Sequence, residues 1–247
     1  DSTDDVMSIP SRARLTHLFY SVFRTPLRSP DFQSCWNSKK HPFYNELSMA
    51  LSKQAKILTK KQVEQMIWYV GTLRHGLRNQ VIVLLSVKAG LRAKEIASLT
   101  WAMVTDAEGD IADVIALTDR AAQGRSGRVI PMNMQLRHKL EDLLDAERAR
   151  DDFDIASSHV IRTERASRTS PRAVVNMFTR WYADLGLAGC SSHSGRRTFI
   201  TNAAKKISTV GGSLRDVQAL AGHSSLAVTQ RYIEGEDEAQ RKIVDLM

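Results

Sequence analysis

Apolar positions recur at helical spacing over most of the chain. Leu15, Leu18, Phe19, Val22 and Phe23 predict a helix from Arg12 to Phe23, and after the break at Pro26 and Pro30 a second can start at Pro42. This first stretch is rich in aromatics (Phe19, Tyr20, Phe23, Phe32, Trp36, Phe43, Tyr44) and must pack against something. Ser52 to Leu58 reads as a linker, which divides the chain into a short helical segment, 1–56, and a main domain, 57–247. Thr59 with Gln62 forms a capping box ahead of Val63, Met66, Ile67 and Val70. The apolar run from Val81 to Val87 stops at Gly90, and Leu91 to Leu99 resumes helically with Ile96 and Leu99 inward.

The period then changes. Val114, Ile115 and Leu117, a glycine-containing turn, and Val129-Ile130-Pro131 predict a β-hairpin. Further helices are expected over Leu136–Ala149, Ser170–Leu185 with Gly186 as stop, Ser192–Ala204, Ser213–Ala221, Ser225–Ile233, and from about Glu236 to Leu246. The expected fold class is mainly α with a small antiparallel β-sheet (α+β).

Charge narrows the choice of partner. The chain of 247 residues has 35 Lys+Arg against 27 Asp+Glu, a formal charge of +8, which suits a polyanion such as nucleic acid but fits a basic housekeeping protein equally. With 43% hydrophobic residues it can build a core, so a disordered or fibrous chain is excluded. No apolar run approaches the roughly 18 residues of a membrane span, and no signal-peptide pattern opens the sequence. Cys35 and Cys190 have no Cys/His spacing around them that would make a zinc site, and two cysteines do not make a disulfide scaffold. A cytosolic protein is expected.

Singly, the chemical candidates are weak. Arg92 follows Gly90-Leu91 at a helix start, where a surface arginine is common. His193 and Arg196 are three apart, hence on one face of a helix, or simply a capping region with a solvated arginine. His223 lies between two helices, and Tyr232 falls on the next one. Together they form a set suited to phosphodiester transfer. Guanidinium forks match phosphate oxygens and stay charged at every working pH. A phenol with a pKa of about 10 needs a base and cationic surroundings to attack phosphorus, and histidine suits the proton transfer.

Ala89-Gly90-Leu91-Arg92 with Glu95, His193-x-x-Arg196, Leu220-Ala221-Gly222-His223-Ser224-Ser225 and Thr229-Gln230-Arg231-Tyr232 occur in the order found in the tyrosine recombinase (phage integrase) family, which the chain resembles from about Leu58 onward. The resemblance implies a largely helical catalytic domain acting on double-stranded DNA. Carried across, Arg92 and Arg196 would grip the scissile phosphate and His193 would accept the tyrosine proton. His223 would donate to a non-bridging oxygen. Tyr232 would attack phosphorus to leave a 3′-phosphotyrosine and a free 5′-hydroxyl, with no cofactor and no metal. Arg120, Arg125 and Arg128 on the hairpin, with Arg197 and Arg231, are candidate DNA contacts. The family also implies a homo-oligomer, a tetramer on two DNA sites, and a cytoplasmic protein associated with the nucleoid; the apolar stripe of the terminal segment 236–247 would either dock on its own domain or, as in relatives, on a neighbouring copy.

Two departures stand out. The family's hairpin carries a lysine that protonates the leaving 5′-oxygen, and aligning Gly124 to Pro131 with that hairpin puts Gln123 in its place. An amide cannot act as a general acid. An engineered substitution, a natural enzyme of low activity, or an offset of one or two residues in the alignment would each explain it. The segment 1–56 is also shorter than the family's core-binding domain: half a clamp, or a cover for the catalytic core. Rival readings are a catalytically dead relative that only binds DNA, a helix-turn-helix regulator built on Leu214 to Val228, and a type IB topoisomerase. A regulator would give Arg92, His193, Arg196 and Tyr232 no task.

Overall fold

The structure is a computed structural model, and it describes residues 55–122, 127–164, 166–232, 244–245 and 247. These belong to one compact unit beginning at Gln54. The expected helices at Arg12–Phe23 and from Pro42 lie outside the described residues, as do Cys35, Gln123, Arg125 and all of 236–246 except 244–245.

Thr59 caps α1 (Lys60–Thr72) through the reciprocal box with Gln62: the threonine hydroxyl accepts from Gln62 N, and Gln62 Oε1 accepts from Thr59 N at 2.9 Å. Helix α2 (Gly76–Lys88) carries an unbroken run of buried residues from Val81 to Val87. A helix apolar on every side must be surrounded, and α2 packs against α1, α3 (Ala93–Ser98), α4 (Met134–Arg148) and α6 (Ser194–Lys206). It is the axis of the core.

The hairpin forms as expected. Strands β1 (Val114–Leu117) and β2 (Arg128–Pro131) pair antiparallel with Ile115 opposite Ile130, both buried. Helix α5 (Pro171–Asp184) starts at Ser170, whose hydroxyl accepts from Ala173 N at 3.1 Å, with Pro171 in the first turn. It buries Val174, Phe178, Trp181 and Tyr182 against the main core and packs on α3.

Beyond α6 come α7 (Leu214–Ala221) and α8 (Leu226–Gln230). Ser213 and Asp216 close a capping box at the start of α7, and Gly222, at φ 63°, ends it. Ile200, Val217 and Ala221 form a second, smaller core, against which Phe199 and Tyr232 pack. Two expected elements are shorter than their patterns suggested. The residues Leu91–Leu99 yield a helix only from Ala93, with Arg92 as its N-cap. Likewise α8 ends at Gln230, and Tyr232 N bonds back to Thr229 O at 3.0 Å, so the tyrosine sits in a tightened turn past the helix. Among the described residues no helix is long and apolar enough to cross a membrane.

Candidate active site

Four elements converge on one cluster of guanidinium groups. Arg92 enters from the N-cap of α3, Arg128 from the first residue of β2, and Arg196 from the first turn of α6, while His223 follows the C-cap of α7. The centre of the cluster is a fully buried carboxylate. Glu95 accepts from Arg92 Nη1 at 2.9 Å, from Arg128 Nη1 at 3.0 Å and Nη2 at 3.1 Å, and from the Arg92 backbone N at 2.8 Å. Burial alone would raise its pKa, but the hydrogen bonds and charge of Arg128, with the backbone N–H and charge of Arg92, outweigh that and hold the carboxyl below its ordinary value. It therefore stays ionised and fixes both arginines.

Arg196 is held differently. Its Nη1 donates to Gly90 O and its Nη2 to Ala221 O, each at 2.6 Å, so two backbone carbonyls aim a side chain that is only 2% exposed. Gly90 offers its carbonyl from φ 65°, and a Cβ there would meet the Phe199 ring at 2.4 Å. Burial, then the like charge of Arg92, lowers the Arg196 pKa to about 10. It remains a cation at neutrality. In the same helix turn Gly195 lets α6 approach α2, since a Cβ would lie 2.3 Å from Ser86 Oγ.

His223 is buried, its Nδ1 lies 2.9 Å from Thr229 Oγ1, and its ring stacks on that of Tyr232 with centroids 5.3 Å apart and planes inclined by 21°. Desolvation, reinforced by the positive charge of Arg196, Arg92 and Arg128, drives its pKa down to about 4. At neutrality it is an uncharged imidazole beside three guanidiniums. Tyr232 is half-buried, and its carbonyl accepts from Thr201 Oγ1 at 3.2 Å. An open cleft of about 980 Å³ fronts this group, lined by Arg92, Arg128, Arg215, Gln218, His223 and Ser224, among others.

Of the residues singled out from sequence, Arg92, Arg196, His223 and Tyr232 come together. His193 does not share a buried face with Arg196: it is the exposed N-cap of α6, one residue outside the helix, because Ser194 N turns back to Ser191 O at 2.8 Å. Arg128, expected on the DNA-facing hairpin, is pulled inward by Glu95 and also donates from Nε to Leu220 O at 2.9 Å. Arg197 is half-buried and donates from Nη1 to Ala55 O at 2.9 Å, whereas Arg120 and Arg231 are exposed. Sequence reasoning passed over Glu95, Arg215 and Thr229 as site residues. The spacing of Arg92 and Glu95 was visible, but not that a residue thirty-three positions later would share the carboxylate.

The phage integrase family matches residues 56–239, most of the chain. The chain belongs to the phage integrase family. Its similar proteins include the tyrosine recombinase XerA of Pyrococcus horikoshii, 25% identical over 193 residues, covering 78% of this chain and 63% of that protein. The tyrosine recombinase XerC of Shewanella amazonensis is 28% identical over 171 residues, covering 69% and 53%. The integrase-family chain thus spans roughly six-tenths of the length of these relatives. In fold it is similar to the crystal structure of XerA recombinase, with TM-score 0.61 and 21% identity over 84% of this chain and 65% of that one. The Tn1549 transposon integrase, solved with transposon right-end DNA, gives TM-score 0.58 and 19% identity over 84% of this chain and 72% of that one. These likenesses establish the tyrosine recombinase catalytic fold for the integrase-family chain.

Proposed function

We propose that the chain is the catalytic part of a site-specific DNA recombinase, which breaks and rejoins double-stranded DNA through a 3′-phosphotyrosine intermediate. The observation that carries this reading is the stacking of Tyr232 on His223 within a ring of three arginines, Arg92, Arg128 and Arg196. In the proposed step the Tyr232 oxygen bonds to phosphorus as the P–O5′ bond breaks. The phenolic proton passes to His193 at the exposed N-cap of α6, and the 5′-oxygen leaves as a hydroxyl by taking a proton from water, since the amide of Gln123 cannot supply one. Attack by a 5′-hydroxyl of a second duplex reverses the sequence. Arg92 and Arg196 neutralise the charge that builds on the non-bridging oxygens, and removing one such donor costs roughly 3–4 kcal/mol of barrier. Bond energy is conserved in the phosphotyrosine, so no nucleotide cofactor is consumed.

A nicked-duplex assay tests this directly. Duplexes with a randomised core and a nick beside the scissile phosphate are incubated with the protein and run on a denaturing gel. A covalent protein–DNA adduct, absent with Tyr232→Phe, is the expected result. Absence of any adduct at every sequence favours the second reading, a DNA-binding relative with impaired chemistry, for which the amide of Gln123 is the specific reason. The DNA contacts in this reading are Arg120, Arg125, Arg128, Arg197 and Arg231, with Arg215 added from the cleft lining.

The domain division, with 1–56 as a DNA-binding arm or partial clamp and 57–247 as the catalytic unit, belongs to the same proposal. So does the assembly. Segment 236–247, with Ile243, Val244, Leu246 and Met247, is proposed to dock on a neighbouring copy in a tetramer spanning two DNA sites in the cytoplasm, at the nucleoid. Similar structures solved with transposon end DNA, a difH substrate and a core site support DNA as the partner.

A further inference from the structure

Thr229 lies four residues after Ser225, the N-cap of α8, so the ordinary outlet for its hydroxyl proton is the Ser225 carbonyl. Other helical threonines take that outlet: Thr179 donates to Val175 O at 3.0 Å and Thr198 to Ser194 O at 2.8 Å. Thr229 does not. Among the described residues its hydroxyl has one hydrogen-bond partner, His223 Nδ1 at 2.9 Å. Thr229 is wholly buried and His223 nearly so.

A threonine hydroxyl carries a single proton, and a buried hydroxyl that fails to donate forfeits a hydrogen bond no water can replace. The proton therefore goes to Nδ1, which must be the ring's acceptor. The ring's own proton is left on Nε2.

We propose that Thr229 is a positioning residue that locks His223 in the Nε2–H tautomer, so that the ring offers a donor, and not a lone pair, to a non-bridging oxygen of the DNA phosphate. The role rests on the reading of the cleft as a phosphoryl-transfer site. The groups facing the imidazole explain why a lock is needed. Arg92 from α3, Arg128 from β2 and Arg196 from α6 oppose its protonation, and Tyr232 covers one face. An imidazolium would donate from both nitrogens whatever its neighbour; a neutral ring donates from one, and its hydrogen-bond partner decides which. The logic is that of a base whose orienting partner fixes the tautomer, with a hydroxyl in place of the usual carboxylate.

Two measurements test the lock. Long-range 15N–1H correlation spectra of the full chain, labelled at histidine and recorded at neutral pH without DNA, should show His223 with Nδ1 bare and Nε2 protonated. Thr229→Val, nearly isosteric, should convert this to a mixture of tautomers, and Thr229→Ser, which keeps the hydroxyl, should restore it. In single-turnover cleavage of a nicked duplex recovered from the randomised pool, Thr229→Val should slow adduct formation by about tenfold, the effect of one lost hydrogen bond. Duplex affinity should stay unchanged, and Thr229→Ser should recover most of the rate. A merely structural threonine would move stability and leave the tautomer alone.

A wild-type spectrum with the proton on Nδ1, or a Thr229→Val protein with unaltered tautomer and rate, overturns the proposal. Should the valine variant fail to fold by circular dichroism, the wild-type and serine spectra still decide. Should the wild-type protein form no adduct at all, the recombinase reading fails, while the spectrum still settles the tautomer.

Discussion

Arg196 is aimed by two carbonyls and Arg92 by a carboxylate, and this difference has consequences for substitution. A lysine at 196 keeps the charge but cannot reach Gly90 O and Ala221 O together, because an ammonium lacks the planar fork. Arg196→Lys is therefore expected to lose at least about a hundredfold in adduct formation while binding duplex almost normally, a split that single-turnover rates and a binding isotherm separate. At Glu95 the loss runs through others: Glu95→Gln leaves Arg92 and Arg128 as neighbouring cations without their anion, so stability should fall by roughly 3 kcal/mol and chemistry with it. Chemical denaturation gives the first number. His223 adds a pH signature. Its pKa is about 4 in the fold against 6.5 for a free side chain, so the unfolded chain binds the extra proton first as pH drops. The resulting stabilisation is complete above pH 6.5 and declines as pH falls from there toward 4, by roughly 3 kcal/mol in all. Thermal melts across that window should show this slope in the wild-type protein and a flatter one in His223→Gln; equal slopes would assign the effect to another group.

Helices carry these side chains into register, and the helix ends decide the outcome more than their middles do. Gly90 sits between α2 and α3 with φ 65° and a Phe199 ring against it, so Gly90→Ala combines the roughly 1–2 kcal/mol cost of the left-handed conformation with a clash. It also shifts the carbonyl that Arg196 needs. We expect Gly90→Ala to lower both the melting temperature and the cleavage rate; a variant that loses stability alone would show that the carbonyl's placement is not what orients Arg196. Much of this scale was legible from sequence, because caps are local: the boxes at Thr59–Gln62 and the Ser170-Pro171 start depend on residues within one turn. The hairpin was legible as an element for the same reason, two short apolar runs flanking a glycine-containing turn, although its register was not. What stayed hidden depends on distant partners. Arg128 looked like one of several basic hairpin residues until Glu95 was seen to hold it, and His193 looked helical until the turn at Ser191 placed it outside α6. Tyr232 was assigned to a helix that stops at Gln230.

At the scale of the whole molecule the charge is distributed to a purpose. The net +8 is modest for 247 residues, yet Arg92, Arg128 and Arg215 line one cleft and Arg196 lies behind it, with Glu95 as the carboxylate bound among them. With DNA as the proposed partner, such a concentration would draw the polyanion to the cleft and make binding salt-dependent through release of counterions, by roughly 0.9 in log K per tenfold change in salt for each phosphate neutralised. Position within the cleft sets what each arginine contributes. Arg215 is exposed on α7, and the Glu95 carboxylate is bonded by Arg92 and Arg128, so loss of Arg215 should remove one phosphate contact and little else. Arg215→Ala is accordingly expected to reduce the slope of log K against log salt by about 1. It should weaken all duplex sequences alike and preserve the adduct rate at saturating DNA. Arg92→Ala should instead abolish the adduct and alter the slope less, since that guanidinium is already partly neutralised by Glu95. Titrations of both variants at several salt concentrations distinguish the roles: if Arg215→Ala leaves the slope intact while destroying cleavage, the helix α7 face belongs to the chemistry and not to the approach of the duplex.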